Sequence, residues 1–128
     1  MKTLRIDHVT VVSPDAGRAA ATFERLFGFA KAASAESPDA GSTAAVTIGD
    51  ARIEFRTPVA ASPLGEALQT GGEGLVALTL MVADLDQAGA TLQRAGIRFD
   101  ATIVGDRRTL VIDPRAAHGV RLALMAHG

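Results

Sequence analysis

The sequence predicts an α+β domain made of two copies of one unit, each a strand, a helix and then two or three further strands. A strand-like run followed by a helix start occurs at residues 4–12 and again at residues 75–84. A single offset of 69 positions aligns Asp15 with Asp84 and Glu54 with Ala123. With 128 residues, the chain is long enough for one domain with a hydrophobic core. We expect one repeat over residues 4–57, a linker over 58–73 and a second repeat over 74–126.

The first repeat opens with residues 4–12, which are rich in β-branched side chains and predict a strand. Ser13 is then the predicted helix N-cap, with Pro14 at the first helical position and Gly28 ending the helix. Two short strands follow at residues 44–48 and 51–57.

The linker contains a short helix over residues 64–69, bounded by Pro and Gly. In the second repeat, the residues Asp84 to Gln87 have the form of a capping box that begins a helix ending near Gly96. Residues 109–112 and 120–125 predict the closing strands. Both repeats thus follow the same order of elements.

Composition limits the classes of partner. The formal net charge is −1, which gives no reason to expect binding to nucleic acid or to an anionic membrane. There is no cysteine, so disulfides, thiolate metal sites and cysteine nucleophiles are excluded. The N-terminal residues carry charges where a signal peptide is apolar. We expect a cytoplasmic protein whose partner is a small molecule.

Strand parity predicts a second sheet face, pointing away from the helices. In a strand, alternate side chains point to opposite sides. The helix side receives residues such as Ile53 and Phe55, and the other side is less apolar. That face either meets solvent or lines a cavity. It is predicted to carry His8, Thr10, Arg52, Glu54, Arg56, Ala77, Thr79, Met81, Arg121, Ala123 and Met125.

The chain resembles the vicinal oxygen chelate superfamily of glyoxalases, bleomycin-resistance proteins and extradiol dioxygenases, and most of all its methylmalonyl-CoA epimerase branch. The resemblance lies in "IDHVTVVSPD", in "ARIEFRTP" with "SPLGEALQTGGEGL", in "VADLDQAGATLQRAGI" and in "IDPRAAHGVRLAL". It implies paired βαβββ repeats, a curled mixed sheet around a cup with the helices outside, and a homodimer.

The resemblance also implies where a metal is held in metal-dependent members. Carried over by position, the four ligands are His8, Glu54, Ala77 and Ala123. Alanine has no lone pair to donate, whereas divalent transition metals normally take three or more firm donors from the protein. No cofactor is therefore expected, and a metal that does bind has His8 and Glu54 as its ligands.

Several functions remain open at this stage. The first is a metal-independent isomerase, epimerase or lyase acting on a small oxygenated, anionic ligand, with Glu54 as the base and His8 or Arg121 stabilising the oxyanion. The second is a non-catalytic, ligand-sequestering protein like the bleomycin-resistance proteins, in which Arg52, Arg56 and Arg121 favour an anion. The others are a metal-dependent enzyme with an incomplete ligand set and a dimeric structural module.

Overall fold

The computed structural model describes residues 1–33, 41–104 and 106–127. It confirms the α+β class and the two βαβββ repeats. The first repeat consists of β1 (Thr3–Val12), α1 (Ala16–Phe27), β2 (Ala30–Ala32), β3 (Ser42–Ile48) and β4 (Ala51–Thr57). The second consists of β5 (Gly74–Val82), α3 (Leu85–Arg94), β6 (Phe99–Val104), β7 (Arg107–Ile112) and β8 (Arg121–Met125), with α2 (Pro63–Gly71) between the repeats and a 3-10 helix at Pro114–Ala117.

The chain forms two compact units, one of residues His8–Val76 and one of Met1–Asp7 with Ala77–Gly128. In the unit His8–Val76 the strands are hydrogen-bonded in the order β2-β3-β4-β1. β2 and β3, and β3 and β4, are antiparallel, whereas β1 and β4 are parallel. This mixed pairing is the one expected for a strand, a crossover helix and a return into the same sheet.

Helix α1 covers one face of these strands. Its residues Ala16 and Ala20 form a buried cluster with Val46 and Phe55. The ring of Phe23 lies 5.0 Å from that of Phe55 at a tilt of 59°, which is a favourable aromatic geometry. The predicted apolar side of β4 therefore does face the helix.

The predicted start of α1 was wrong by two residues. The N-cap is Asp15, whose Oδ1 accepts a hydrogen bond of 3.0 Å from the backbone N–H of Arg18. Ser13 instead donates through its hydroxyl to Glu73 Oε1 at 2.7 Å, and Pro14 precedes the helix. Serine and aspartate can both cap a helix. Only Asp15, however, lies three residues before a helical N–H that is available to bond to the capping side chain.

In the unit that contains Ala77–Gly128, the strands follow the order β5-β8-β7-β6. β5 and β8 are parallel, and the other two neighbouring pairs are antiparallel. Helix α3 packs its buried residues Leu85, Ala88 and Leu92 against Leu110 and Leu124. Asp84 caps this helix as predicted, because its Oδ1 accepts from the N–H of Gln87 at 3.0 Å.

Two strands went unrecognised in the sequence. β2 has only three residues, of which two are alanine, and β6 carries Asp100 and Ala101 near its start. These residue types are depleted in strands, so only tertiary pairing reveals the elements. β7 also begins earlier than predicted, at Arg107.

Among the described residues, no helix has the length and apolar character needed to span a membrane.

The two repeats pair their strands in the same register. His8 stands opposite Arg52, and Thr10 opposite Glu54, in the parallel pair β1 and β4. At the same offset of 69 positions, Ala77 stands opposite Arg121 and Thr79 opposite Ala123 in β5 and β8. The predicted alignment of the repeats therefore holds at the level of individual residue pairs in the strand register.

Candidate functional site

The centre of the candidate site is Glu54, a carboxylate that is 0% exposed. It lies in β4 beside Phe55, whose side chain faces α1. Because neighbouring residues of a strand point to opposite faces, Glu54 points away from the helix. Burying an unpaired carboxylate is costly, so its surroundings decide whether the fold tolerates it.

Three basic side chains surround the Glu54 carboxylate. His8 Nε2 lies 3.1 Å from Glu54 Oε2, and Arg52 Nη2 lies 3.4 Å from the same oxygen. Arg56 Nη2 lies 3.6 Å from the other oxygen, Oε1. We call His8, Arg52, Glu54 and Arg56 the Glu54 cluster.

The backbone produces this cluster in two ways. Arg52, Glu54 and Arg56 are alternate residues of β4 and share a face. His8 belongs to the neighbouring parallel strand, where it stands opposite Arg52. Thr10 is opposite Glu54 on the same strand as His8 and is 4% exposed. Five predicted site residues of the first repeat are thus brought together.

Burial of such a cluster is a poor way to stabilise a fold. The free energy lost by removing charges from water largely offsets their attraction, so apolar residues of similar volume serve as well or better. The side chains of His8 and Arg56 are only 8% and 12% exposed, and that of Arg52 is 31% exposed. Stability alone therefore does not account for the Glu54 cluster.

Two buried polar atoms of the cluster lack a hydrogen bond. Within the part of the chain that the structure describes, Glu54 Oε1 and Arg56 Nε have no hydrogen-bond partner. The contact of 3.6 Å between Arg56 Nη2 and Glu54 Oε1 is an ion pair but too long for a hydrogen bond. Each unfilled group costs about 1–3 kcal/mol. Such atoms in a folded protein call for a specific explanation, such as a catalytic role or a bound molecule.

The corresponding positions of the second repeat form a different surface. Thr79, Met81 and Met125 are buried, at 5%, 0% and 5% exposure, while Ala77, Arg121 and Ala123 are partly buried. The predicted second face is thus largely buried in each repeat, which contradicts the alternative of a solvent-exposed face. In the second repeat, the positions equivalent to His8 and Glu54 are occupied by Ala77 and Ala123.

The donor set fits a divalent metal poorly. His8 and Glu54 supply two donors, and two guanidinium groups already face the carboxylate. Among the described residues there is no group of three His, Cys, Asp or Glu side chains placed to hold a metal ion. Tetrahedral and higher-coordinate sites normally take three or more protein ligands, and the positive charge of the arginines opposes a cation.

The sequence placed Arg52 and Arg56 on the face of Glu54 but did not assign them to its carboxylate oxygens, which both of them contact. The predicted role of His8 or Arg121 at a substrate oxyanion is a separate matter and stays a prediction. The signal was present in the pattern Arg-x-Glu-x-Arg, because residues at i and i+2 of a strand are neighbours on one face.

Shifted pKa values occur at exposed pairs outside these positions. A side-chain hydrogen bond from Arg115, followed by a backbone hydrogen bond from the same residue, lowers the pKa of Asp113. The hydrogen bond to Asp86, together with its charge, raises the pKa of Arg108. Both pairs lie on the surface, so they report local structure rather than chemistry.

Comparison with known proteins agrees with this architecture. The model of the Glyoxalase/Bleomycin resistance protein/Dioxygenase superfamily matches residues 7–109. The chain belongs to this superfamily. None of the curated proteins matches the sequence.

Several solved structures share the fold of this chain. The methylmalonyl-CoA epimerase of Mycobacterium tuberculosis is 24% identical, with a TM-score of 0.89 over 98% of this chain and 89% of that one. A variant of Streptomyces coelicolor methylmalonyl-CoA epimerase in complex with 2-nitronate-propionyl-CoA is 23% identical, with a TM-score of 0.88 over 99% of both chains. A hypothetical protein, BH1468 of Bacillus halodurans, is 17% identical, with a TM-score of 0.87 over 97% and 94%. The resemblance seen in the sequence is thereby confirmed, and at these identities it concerns the fold.

Proposed function

We propose that the protein is a metal-independent isomerase or epimerase, or a lyase of related chemistry, that moves a proton next to a carbonyl group of a small, oxygenated, anionic molecule. The observation that carries the proposal is the buried Glu54 carboxylate, whose Oε1 has no hydrogen-bond partner among the described residues. A positioned carboxylate with an unfilled oxygen is a candidate general base.

His8 and Arg52 both engage Oε2, the other oxygen of Glu54. Holding that oxygen fixes the rotation of the carboxylate and leaves Oε1 for the substrate proton. In this proposal Glu54 is the base, and His8 and Arg52 are positioning residues. The arginines add positive charge, which favours an anionic ligand.

Metal independence is part of the proposal. It is supported by the ligand count and by the two guanidinium groups on the carboxylate. A metal-dependent reaction would need a third protein donor, which the family resemblance assigns to Ala77 or Ala123, and alanine offers none.

The test is deuterium exchange in heavy water with excess EDTA. The carbon acids are methylmalonyl-CoA, because the structural neighbours are methylmalonyl-CoA epimerases, and the smaller acetoacetate and pyruvate. We expect the wild type to exchange the proton next to the carbonyl of at least one of them. Glu54→Gln, which keeps the shape but removes the base, should lower the rate by about 100-fold or more.

Glu66→Gln is the matched control, since Glu66 is exposed in the first turn of α2. This variant should exchange at the wild-type rate. The proposal is overturned if no probe exchanges faster than in buffer, or if Glu54→Gln is as active as the wild type while its circular dichroism shows a folded chain.

A second candidate, a sequestering protein without chemistry, is favoured by one observation. Both oxygens of Glu54 already face guanidinium groups, so the residue also suits a structural role that fixes the arginines for an anionic ligand. Binding of a probe, detected as a raised melting temperature, with no exchange of deuterium would identify this function.

We also propose that the chain is a homodimer, as the family resemblance implies, and that it is cytoplasmic, which its lack of cysteine supports. Exposed apolar side chains support association: Leu75 is 66% exposed, and Leu4 and Ile6 are 48% and 46% exposed. Light scattering after size-exclusion chromatography tests the dimer. A mass of 13.2 kDa, that of one chain, at micromolar concentration would contradict it.

A further inference from the structure

We propose that Arg56 binds the oxygen on which negative charge develops, and so stabilises that charge without a metal ion. The inference rests on the proposed proton transfer and adds a catalytic residue to it. It starts from the second unfilled atom of the Glu54 cluster, Arg56 Nε, rather than from Glu54 itself.

The surroundings of Arg56 distinguish it from Arg52. The guanidinium of Arg52 donates to the backbone carbonyl of Ala33 at 3.2 Å and to Glu54 Oε2 at 3.4 Å, and its side chain is 31% exposed. The side chain of Arg56 is 12% exposed, and its single ion pair to a described residue, at 3.6 Å, is to the oxygen that we assign as the base. Its Nε–H is buried and has no acceptor among the described residues.

The unfilled donor and the unfilled acceptor belong to neighbouring side chains. Arg56 and Glu54 are alternate residues on one face of β4, and the Arg56 guanidinium is in contact with Glu54 Oε1. A group that fills both must present an acceptor to Arg56 and a hydrogen to Glu54. A carbonyl oxygen together with the C–H bond on the adjacent carbon has this pattern.

The proton and electron balance of the step is as follows. Glu54 Oε1 takes the proton from the carbon, and the electron pair of the broken C–H bond forms a carbon–carbon double bond. The π electron pair of the carbonyl moves to its oxygen, which becomes an oxyanion. Arg56 donates a hydrogen bond to that oxygen, where a fixed positive group in a buried site acts most strongly. Return of the proton to carbon restores the carbonyl, so no oxidant, reductant or metal is needed.

The test compares the binding of two ligands that differ in the oxyanion. 2-nitronate-propionyl-CoA carries negative charge on its nitronate oxygens, and propionyl-CoA shares the acyl-CoA part without that group. By calorimetry, we expect the wild type to bind the nitronate at least about tenfold more tightly, which corresponds to one charge-assisted hydrogen bond. Arg56→Lys keeps the charge but loses the Nε–H and the planar fork, and should abolish most of this preference.

Arg108→Lys is the matched control, because Arg108 is an exposed arginine paired with Asp86 at 2.7 Å. It should retain the wild-type preference within about twofold, as expected for an exposed pair. The inference is overturned if the wild type shows no preference for the nitronate, or if Arg56→Lys keeps it. A water molecule that merely fills the two atoms would produce the latter result.

A measurement on the wild type covers the case in which Arg56→Lys does not fold. With ¹⁵N-labelled arginine, one protected Nε–H resonance should move downfield on addition of the nitronate and stay in place on addition of propionyl-CoA. No such movement contradicts the inference.

The two proposals fail separately. If deuterium exchange depends on Glu54 but the preference for the nitronate is unchanged in Arg56→Lys, the role of Arg56 is wrong and the proton transfer stands. If the preference depends on Arg56 but no probe exchanges deuterium, the site binds an oxyanion and the proposed reaction is wrong.

Discussion

The strand pair β1 and β4 and the strand pair β5 and β8 have the same parallel pairing and the same register, but they carry different side chains. Glu54 faces a threonine partner in the first pair, and Ala123 faces a threonine partner in the second. His8 has become Ala77, and Arg56 has become Met125, at the same offset of 69 positions. The second pair folds without any of these three polar groups.

This difference separates the requirements of the fold from those of the site. The scaffold needs the apolar positions that face the helices, such as Phe55 and Leu124, and both are 0–1% exposed. It does not need a buried carboxylate, because the second repeat lacks one. The cost of burying the Glu54 cluster is therefore best explained by its chemistry.

The largest expected effect comes from removing the acid from the first repeat. Glu54→Ala leaves the buried guanidinium of Arg56 without its ion pair and removes the contacts of His8 and Arg52 to that carboxylate, and should reduce the free energy of unfolding by about 3–5 kcal/mol. Urea denaturation followed by circular dichroism measures it. A loss below about 1 kcal/mol, within the range of exposed pairs, would show that the cluster is solvated in solution.

Ala123→Glu is the reciprocal change, and it tests whether the second repeat tolerates a carboxylate. It places a carboxylate in the equivalent slot of the second repeat, where the position of His8 is alanine and that of Arg56 is methionine. Because the new charge is partly buried without those partners, we expect destabilisation of about 1–3 kcal/mol. A neutral or stabilising result in the same urea titration would mean that the second repeat accepts the acid as readily as the first.

A smaller effect is expected at the helix N-caps, a feature that the two repeats share. Asp15 and Asp84 both cap a helix with a hydrogen bond of 3.0 Å. Replacing either by alanine should cost about 1 kcal/mol, with similar values for the two variants in thermal unfolding. A cost confined to one of them would show that the capping positions are not equivalent in energy.

The smallest expected effect concerns Asp113, a partly buried carboxylate in the second repeat whose side chain is 21% exposed, in contrast to the fully buried Glu54. The bonds from Arg115 lower the pKa of Asp113 below its ordinary value of 3.8. Its contribution to stability is therefore present above that value and is lost as the pH falls through the lowered pKa. The melting temperature of Asp113→Asn should be slightly below that of the wild type at pH 7, and the difference should disappear in strong acid. A difference in melting temperature that grows toward low pH would contradict the expected direction.

Much of the fold followed from the sequence, for identifiable reasons. The 69-residue offset and the strand parity placed Phe55 toward the helix and Glu54 on the opposite face, and both are confirmed. Local pattern failed where local signals were weak or duplicated: β2 contains only alanine and lysine, and Ser13 and Asp15 both look like N-caps.

The candidate site was predictable in position but not in contacts. Parity placed Glu54 and the arginines on one face, and the alignment of the repeats, which pairs His8 with Ala77, added His8 to it. Which guanidinium approaches which carboxylate oxygen depends on rotamers and burial, and these are properties of the packed structure. The absence of a hydrogen bond at Arg56 Nε among the described residues is of the same kind, since only the packed structure reveals it.

The central claim is that the Glu54 cluster works without a metal. The most direct test is the metal content of protein purified without a metal-affinity tag, measured before and after incubation with Mn²⁺, Co²⁺, Ni²⁺ and Zn²⁺, with Glu54→Ala as the control. We predict no metal that depends on Glu54, because two donors beside two guanidinium groups do not form a firm site. Near-stoichiometric metal in the wild type that is lost in Glu54→Ala would contradict the claim and restore metal-chelate chemistry to this chain.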